Sequence, residues 1–154
     1  MEVLVTKVDA VRDHGDTLTI VTVGEHEVVA NKREDGSARW AVGQPVVYVP
    51  EGALVPEDVL KERGYWDEAK GKGLLEGKKG NRVKMRRFAG FESRGLLFYV
   101  ESLGNDWTDE NKDPDVIGWI LREGRPAEAG ADTQYVKLGD NVIDFFNITE
   151  HVPG

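Results

Sequence analysis

The sequence predicts a mainly β fold, a five-stranded OB-fold barrel with a short helix and an acidic insertion near the C-terminus. Three observations predict it. Short runs with period-two apolar spacing recur along the first hundred residues, and Gly, Asp and Pro turn signals separate them. One short helix signal lies between the third or fourth strand and the last. This order of elements is typical of the OB-fold, and an SH3-like barrel is the alternative.

The early strands follow one another closely. "VLVTKVDAV" begins with alternating apolar side chains, and "RDHGD" supplies Asp and Gly for a turn. "TLTIVTV" (17–23) is rich in β-branched residues, and Gly24 begins a short turn into "HEVVANK" (26–32). "REDGSARW" is predicted to be a polar hairpin loop because Asp35-Gly36 is a strong turn pair. "VVYVP" is then predicted to be a short buried strand that Pro50 ends.

The character of the chain changes at Pro56. "PEDVLKERGYW" has Pro at its start, acids in its first turn and Gly64 near its end, which predicts a short helix. "AKGKGLLEGKKG" is rich in Gly and Lys and is predicted to be a mobile loop. Two extended runs follow, "NRVKMRRF" and "FESRGLLFYV", and Ala89-Gly90 separates them.

Composition excludes several classes of protein. A length of 154 residues and a 40% hydrophobic fraction suit one soluble domain, or one domain with a sizeable insertion. No apolar run approaches the roughly 18 residues of a membrane span, and the N-terminus lacks the features of a signal peptide. The absence of cysteine excludes disulfides and thiolate metal sites and fits a cytoplasmic protein. The three histidines are scattered, so no metal site is predicted.

Charge is distributed unevenly. Residues 1–60 carry a net charge of −6, residues 61–94 a net +6 and residues 95–154 a net −8. The basic part centres on "NRVKMRRF", where strand alternation places one group of side chains on a single face: Arg82, Lys84, Arg86 and Phe88. Such a face is either an edge that cations protect from pairing or a groove in which cations track phosphates and an aromatic ring stacks on a base.

Two spans carry a family resemblance. "VVYVPEGALVPEDVLKERGYW" and "EGKKGNRVKMRRFAGFESRGLLF" agree in order, spacing and residue type with one family's pattern: V-V-Y-x-P-E, a variant of L-P-E before a short helix, a basic strand and S-Q-G-L-L. The chain resembles the N-terminal OB-fold domain of the Deinococcus/Naegleria-type ATP-dependent RNA ligases. The matching residues are Val46, Val47, Tyr48, Pro50, Glu51, Val55, Pro56, Glu57, Arg82, Val83, Lys84, Arg86, Arg87, Ser93, Gly95, Leu96 and Leu97.

The resemblance implies a domain organisation. Residues 1–101 would form the OB-fold core, and 102–135 an acidic insertion with no counterpart in the family. Residues 136–154, "KLGDNVIDFFNITEHVPG" with the preceding Val136, would be a closing segment and a junction toward a nucleotidyltransferase domain absent from this chain. The implied partners are RNA, as nicked duplex or 3′-hydroxyl ends, and a catalytic ligase domain in cis or in trans. No membrane partner is expected. ATP and Mg or Mn are implied for the parent ligase, and no cofactor for this chain.

The expected nucleic-acid contacts are cations and aromatic rings of residues 78–94. Predicted phosphate contacts are Arg82, Lys84, Arg86 and Arg94, with Lys78, Lys79 and Arg87 in support. Phe88 and Phe91 are candidates for stacking, and Phe91 suits the core equally well. No catalytic residue is predicted, because ligases of this superfamily use the lysine of a Lys-x-Asp-Gly motif. The nearest string, "KREDG", is predicted to be a turn, so only the parent protein is expected to be an enzyme.

The sequence departs from the family in two places. Ser93-Arg94-Gly95 replaces Ser-Gln-Gly and adds a cation. Residues 102–135 include Trp107 and Trp119 with eight acidic and three basic side chains. They are an acidic surface insertion, an electrostatic mimic of nucleic acid or a docking site for another protein. Two other functions stay open: a stand-alone tRNA-binding or single-strand-binding OB module, and a protein-interaction adaptor that uses the acidic insertion.

Overall fold

The computed structural model describes residues 1–102, 116–121 and 133–151, and these form a mainly β fold with two short helices. The helices are α1 (Glu57–Glu62) and α2 (Ile143–Phe146). The strands are β1 (Leu4–Lys7), β2 (Ala10–His14), β3 (Leu18–Val23), β4 (His26–Asn31), β5 (Pro45–Val49), β6 (Ala53–Leu54), β7 (Trp66–Asp67), β8 (Lys72–Gly73), β9 (Arg86–Phe88), β10 (Phe91–Ser93), β11 (Leu96–Tyr99), β12 (Glu101–Ser102), β13 (Gly118–Leu121), β14 (Thr133–Val136) and β15 (Thr149–Glu150).

Two three-stranded antiparallel sheets organise the first hundred residues. One has the order β1-β5-β11, with Val47 opposite Val5 on one side and Phe98 on the other. The other is the meander β2-β3-β4. The chain passes between them at Val8 and Asp9, whose N–H groups donate to the carbonyl oxygens of Gln44 and Thr22. The strands predicted near 17–23, 26–32 and 46–50 are therefore confirmed as β3, β4 and β5.

A further set of bonds links β4 to the later strands. The N–H of Val29 donates to the Ser93 hydroxyl (2.9 Å), and the N–H of Arg94 donates to the carbonyl oxygen of Glu27 (3.0 Å). Among the described residues the strands form six separate sheets rather than one continuous ladder. Side-chain and loop hydrogen bonds thus complete the connection between the meander and β11.

The β1-β5-β11 sheet separates two hydrophobic cores, a main core and a second core. The second core lies between this sheet and the meander and includes Val21, Val28, Val46 and Leu97. The main core lies on the opposite face and includes the following buried residues: Val3, Val5, Val47, Val49, Ala53, Val55, Val59, Leu60, Val83, Phe98, Val100, Ile120, Val136, Val142, Phe146 and Ile148. Because neighbouring residues of β5 point to opposite faces, this strand contributes to both cores.

The helix predicted after Pro56 is confirmed. Pro56 occupies the N-cap position of α1, and two acids lie in the first turn, where the helix dipole favours negative charge. Val59 and Leu60 are buried in the main core, and Gly64 adopts a φ of 82° just past the end. Helix α2 was not predicted, because four residues are too few for a helical period to be visible.

Two predicted loops differ from expectation. The Asp35-Gly36 turn exists, with the N–H of Ser37 bonded to Oδ1 of Asp35 (2.9 Å), but it is not a hairpin loop because β4 and β5 are not sheet neighbours. The Gly-Lys-rich segment is not simply a loop, since β8 lies within it and pairs with β7, which precedes it. A Cβ at Gly80 would collide with the carbonyl oxygen of Gly73, so glycine here permits close packing of two backbones.

Part of the acidic segment is described. β13 lies between β12 and β14, and Ile120 is buried in the main core, whereas Trp119 is half-buried. These residues therefore pack on the fold. Trp107, the acidic side chains of 103–115 and 122–132, and the last residues of the predicted junction, 152–154, lie outside the described residues.

Candidate nucleic-acid interface

The basic segment, residues 81–88, leads into a short hairpin formed by β9 and β10. Phe88 pairs with Phe91 in register, and the two residues of the turn, Ala89 (φ 47°) and Gly90 (φ 82°), are both left-handed, as in the two-residue turns that favour hairpins. The strand begins at Arg86 rather than at residue 81. The reason is that the preceding backbone bonds elsewhere, since Arg82 exchanges hydrogen bonds with Glu76 and Val83 donates to the carbonyl of Ala53.

The segment and the hairpin form one wall of a cleft of about 1110 Å³. The side chains that alternation placed on one face all line it: Arg82, Lys84, Arg86 and Phe88. β4, β11 and the C-terminal end of α1 complete the lining. The cleft is therefore a concave surface with a basic wall, the shape and charge that an extended anionic polymer requires.

Two of the wall's arginines are engaged within the protein. Nε of Arg86 donates to Oε1 of Glu76 (3.0 Å), and its Nη2 donates to the carbonyl oxygen of Leu74 (3.0 Å). Nη1 of Arg82 lies 3.1 Å from Nε2 of His151. Lys84 is exposed and forms no ion pair with any residue that the structure describes. Lys84 is therefore the cation of this wall most available to a ligand.

A second group of cations lies on the other face of the hairpin. Arg87 pairs with Glu92 (3.1 Å), and Arg94 pairs with both Glu92 (3.0 Å) and Glu51 (3.3 Å). The hydrogen bonds from Arg87 and Arg94 lower the pKa of the Glu92 carboxyl below its ordinary value. Both arginines are exposed, and surface pairs of this kind contribute little to stability. A phosphate can therefore exchange with the carboxylates at low cost.

The two phenylalanines differ in their surroundings. Phe88 lines the cleft. Phe91 is half-buried beside it, with the Arg12 guanidinium 5.5 Å from its ring centroid and the His14 ring 5.6 Å away. Of the two, Phe88 is better placed to meet a base, because Arg12 and His14 already contact the ring of Phe91.

Lys78 and Lys79 lie on the turn that leads into Gly80. Both side chains are exposed, and neither lines the cleft. The backbone of Lys79 is fixed, since its carbonyl oxygen accepts the N–H of Gly73 (3.0 Å). These lysines extend the basic surface beyond the cleft.

A further part of the cleft's lining was not identified from the sequence. It contains Arg33, Arg39, Trp40, Tyr65 and Tyr99. Burial raises the pKa of the Tyr65 hydroxyl, and nearby Arg39 opposes the shift. These residues come from the loop after β4, the end of α1 and the end of β11, so only the fold brings them together. The pair Arg39-Trp40, a cation beside an aromatic residue in a polar loop, was the one local signal.

Within residues 1–102, 116–121 and 133–151, no cluster of three or more His, Asp or Glu side chains is placed to hold a metal ion. Over the same ranges, no helix has the length and apolar character needed to cross a membrane.

Comparison with solved structures shows a similarity to part of the Naegleria gruberi RNA ligase. The apo form of one lysine variant is 19% identical, with a TM-score of 0.59 over 98% of this chain and 35% of that chain. The ligase with pyrophosphate is 16% identical (TM-score 0.58, 98% and 35%). Another lysine variant, with ATP and Mn, is 15% identical (TM-score 0.55, 100% and 36%).

The chain spans about a third of the length of these solved proteins. No family model and no curated protein matches it. At these identities the likeness is one of fold, and it extends over the whole chain.

Proposed function

We propose that this chain is the RNA-binding OB domain of an RNA ligase. It engages nicked or 3′-hydroxyl RNA for sealing by an adenylyltransferase domain that is not in this chain. The observation that carries the proposal is the match of nearly the whole chain to about a third of the Naegleria gruberi RNA ligase. ATP and a divalent metal belong to the proposed catalytic domain.

The order of the strands supports an OB-type barrel. From β1 the chain continues into β2, and β3 and β4 follow in the meander. Hydrogen bonds lead from β4 to Ser93 and Arg94, just before β11, and β11 pairs with β5, which pairs with β1. This path returns to its starting strand, as a five-stranded Greek-key barrel does. In this proposal residues 1–101 are the barrel, 102–135 an insertion and 136–154 a closing segment.

The distribution of charge supports the location of the RNA. Residues 61–94 carry a net +6 within a chain of net −8, so the acidic remainder repels RNA from other surfaces. Lys84 would make the first phosphate contact in the cleft, flanked by Arg82 and Arg86. Arg87, Arg94, Lys78 and Lys79 would contact phosphates outside it, and Phe88 would stack on a base.

The test uses lysines whose loss should not disturb the fold. The triple variant Lys78→Ala, Lys79→Ala, Lys84→Ala removes three exposed charges that have no ion pair in the described residues. The control variant Lys7→Ala, Lys70→Ala, Lys137→Ala removes three exposed charges elsewhere on the surface. Both change the net charge equally, so a general electrostatic effect cancels.

The measured quantity is the slope of log affinity for RNA against log salt concentration. Each lost phosphate contact should flatten it by about 0.7 to 0.9, so the first variant should flatten it by roughly 2 to 3. The control should leave the slope nearly unchanged. Equal slopes in the wild type and both variants would instead make the basic segment an edge guard or an internal partner of the acidic insertion.

A further inference from the structure

Part of the cleft's lining is not used by the proposed RNA contacts. Arg33 and Arg39 lie on the loop after β4, and both side chains are exposed. Tyr99 is 47% exposed although it ends a core strand. Trp40 lies behind it, with ring centroids 6.3 Å apart. An exposed tyrosine beside a buried indole offers an aromatic surface in the same lining as the basic residues.

The charges of the lining favour an anionic occupant. Six cations line the cleft against three carboxylates, those of Glu62, Glu76 and Glu101. The Glu76 carboxylate is already occupied by Arg86. Among the residues that the structure describes, Arg39 makes one hydrogen bond, from Nε to the carbonyl oxygen of Asn31 (3.4 Å), and its terminal nitrogens have no described partner. A lining that combines cations with aromatic rings matches a polymer of alternating phosphates and bases.

The size of the cleft favours a single strand over a duplex as its occupant. Its volume of about 1110 Å³ lies just above the usual range of small-molecule pockets. A few unpaired nucleotides fill such a space. In a duplex the bases are stacked and paired with each other, so they cannot stack on the aromatic side chains of the lining.

We infer that the cleft holds unpaired nucleotides of a single-stranded RNA segment. A base stacks on Tyr99, and phosphates are held by Arg33 and Arg39 on one side and by Lys84 on the other. The inference rests on the proposed function and deepens it, because it selects an unpaired strand rather than a blunt duplex as the ligand of the cleft.

The test compares three RNAs on the full 154-residue chain: a blunt duplex, the same duplex with a short 3′ overhang, and the overhang strand alone. The variant Arg39→Gln, Tyr99→Leu keeps the side-chain bulk and removes one charge and one ring. We expect the wild type to prefer the overhang and single strand over the blunt duplex. The variant should lose affinity for both by roughly 5- to 100-fold, as expected for one stacked base, and keep its affinity for the blunt duplex.

The control is Lys70→Gln, Tyr135→Leu, which removes an exposed cation and a tyrosine of similar exposure outside the cleft. It should behave as the wild type does. If the cleft variant unfolds, Arg33→Gln, Arg39→Gln on the exposed loop carries the same expectation. Equal binding of blunt and overhanging RNA by the wild type, or equal losses on both in the variant, overturns the inference and leaves the proposed function standing. Failure of the wild type to bind any of the three RNAs overturns both.

Discussion

Nη1 of Arg82 lies 3.1 Å from Nε2 of His151, although 69 residues separate them in the chain. A guanidinium only donates, so Nε2 of His151 is the acceptor in this contact. The backbone of His151 is fixed as well, since its N–H donates to the carbonyl oxygen of Gly52 (2.7 Å). Arg82 therefore connects His151, near the C-terminus, to the basic segment through this hydrogen bond, and it also lines the cleft.

Arg82 and His151 should be energetically coupled. Arg82→Met and His151→Ala should each lower the free energy of unfolding by about 1 kcal/mol or more, because each removes one partner of a charge-assisted hydrogen bond. The double variant should be more stable than the sum predicts by about 1 kcal/mol. Urea unfolding of the four proteins gives this coupling energy. Strict additivity would mean that the contact does not contribute in solution.

The hairpin should lose stability at acidic pH through Glu92. Hydrogen bonds from Arg87 and Arg94 lower the pKa of this carboxyl from its ordinary value of 4.5. A carboxyl whose pKa is lower in the folded state stabilises the fold above the unfolded pKa, and this contribution is lost as the pH falls through the folded pKa. Thermal unfolding of wild type and Glu92→Gln should therefore differ most above the ordinary pKa of 4.5, and the difference should disappear as the pH falls through the lower folded-state pKa. A constant difference across this range would contradict the assignment.

Gly95→Ala should destabilise the protein beyond the cost of its backbone conformation. Gly95 has a φ of 106°, and an added Cβ would lie 2.6 Å from the ring of Tyr48, which is 8% exposed and donates to the carbonyl oxygen of Arg94 (2.6 Å). We expect a loss of about 2 to 4 kcal/mol from strain and overpacking together. Gly43→Ala, with a φ of 87° and no atom within 4 Å, measures the backbone part alone. Chemical denaturation measures the loss of unfolding free energy in both variants. Equal losses in Gly95→Ala and Gly43→Ala would show that Tyr48 moves to make room for the added Cβ.

Ala89→Gly should stabilise the hairpin. Ala89 has a φ of 47°, a conformation that costs a residue with a Cβ about 1 kcal/mol and costs glycine almost nothing. We expect a gain of about 0.5 to 1 kcal/mol in unfolding free energy, reduced by the extra entropy of glycine in the unfolded chain. Gly90→Ala, at a φ of 82° in the same turn, should instead lower the free energy of unfolding. A destabilised Ala89→Gly would argue against the left-handed turn.

The chain alone should not take up adenylate from ATP with Mg or Mn. The lysine nearest to a ligase-like string is Lys32, and its Nζ is bound to Asp13 (3.2 Å) and to the carbonyl oxygen of Gly15 (3.3 Å). An amine held as an ammonium by a carboxylate is a poor nucleophile. Incubation with labelled ATP, followed by denaturing electrophoresis, should show no labelled protein. A covalent adenylate that disappears in Lys32→Ala would place a catalytic residue in this chain.

Local signals in the sequence predicted local structure well. The β-branched run of β3, the Pro-initiated helix α1 and the turn at Ala89-Gly90 all lie near their expected positions, because each depends on neighbouring residues. The features that were not predicted depend on contacts between residues that are far apart in the sequence. The close approach of Gly73 and Gly80 and the division of the extended run at Gly95 are set by packing.

The candidate site divides in the same way. Its basic wall was predicted because one short segment supplies it. The rest of the lining was missed because Arg39, Tyr65 and Tyr99 come from three segments that meet only in the folded chain. Alternation also gave no indication that Arg82 and Arg86 have partners, since His151 and Glu76 lie outside their own segment.

Strand β5 sets a limit on how fast this fold can form. Val47 pairs with Val5 and with Phe98, roughly 40 and 50 residues away in opposite directions, and both faces of the strand are covered by apolar side chains. Neither core is complete until both pairings exist, so two long loops must close before most of the apolar area is removed from water. Such dependence on distant pairs is characteristic of proteins that fold in milliseconds to seconds rather than microseconds. During synthesis, β5 leaves the ribosome long before β11, and its second edge stays unpaired for that interval.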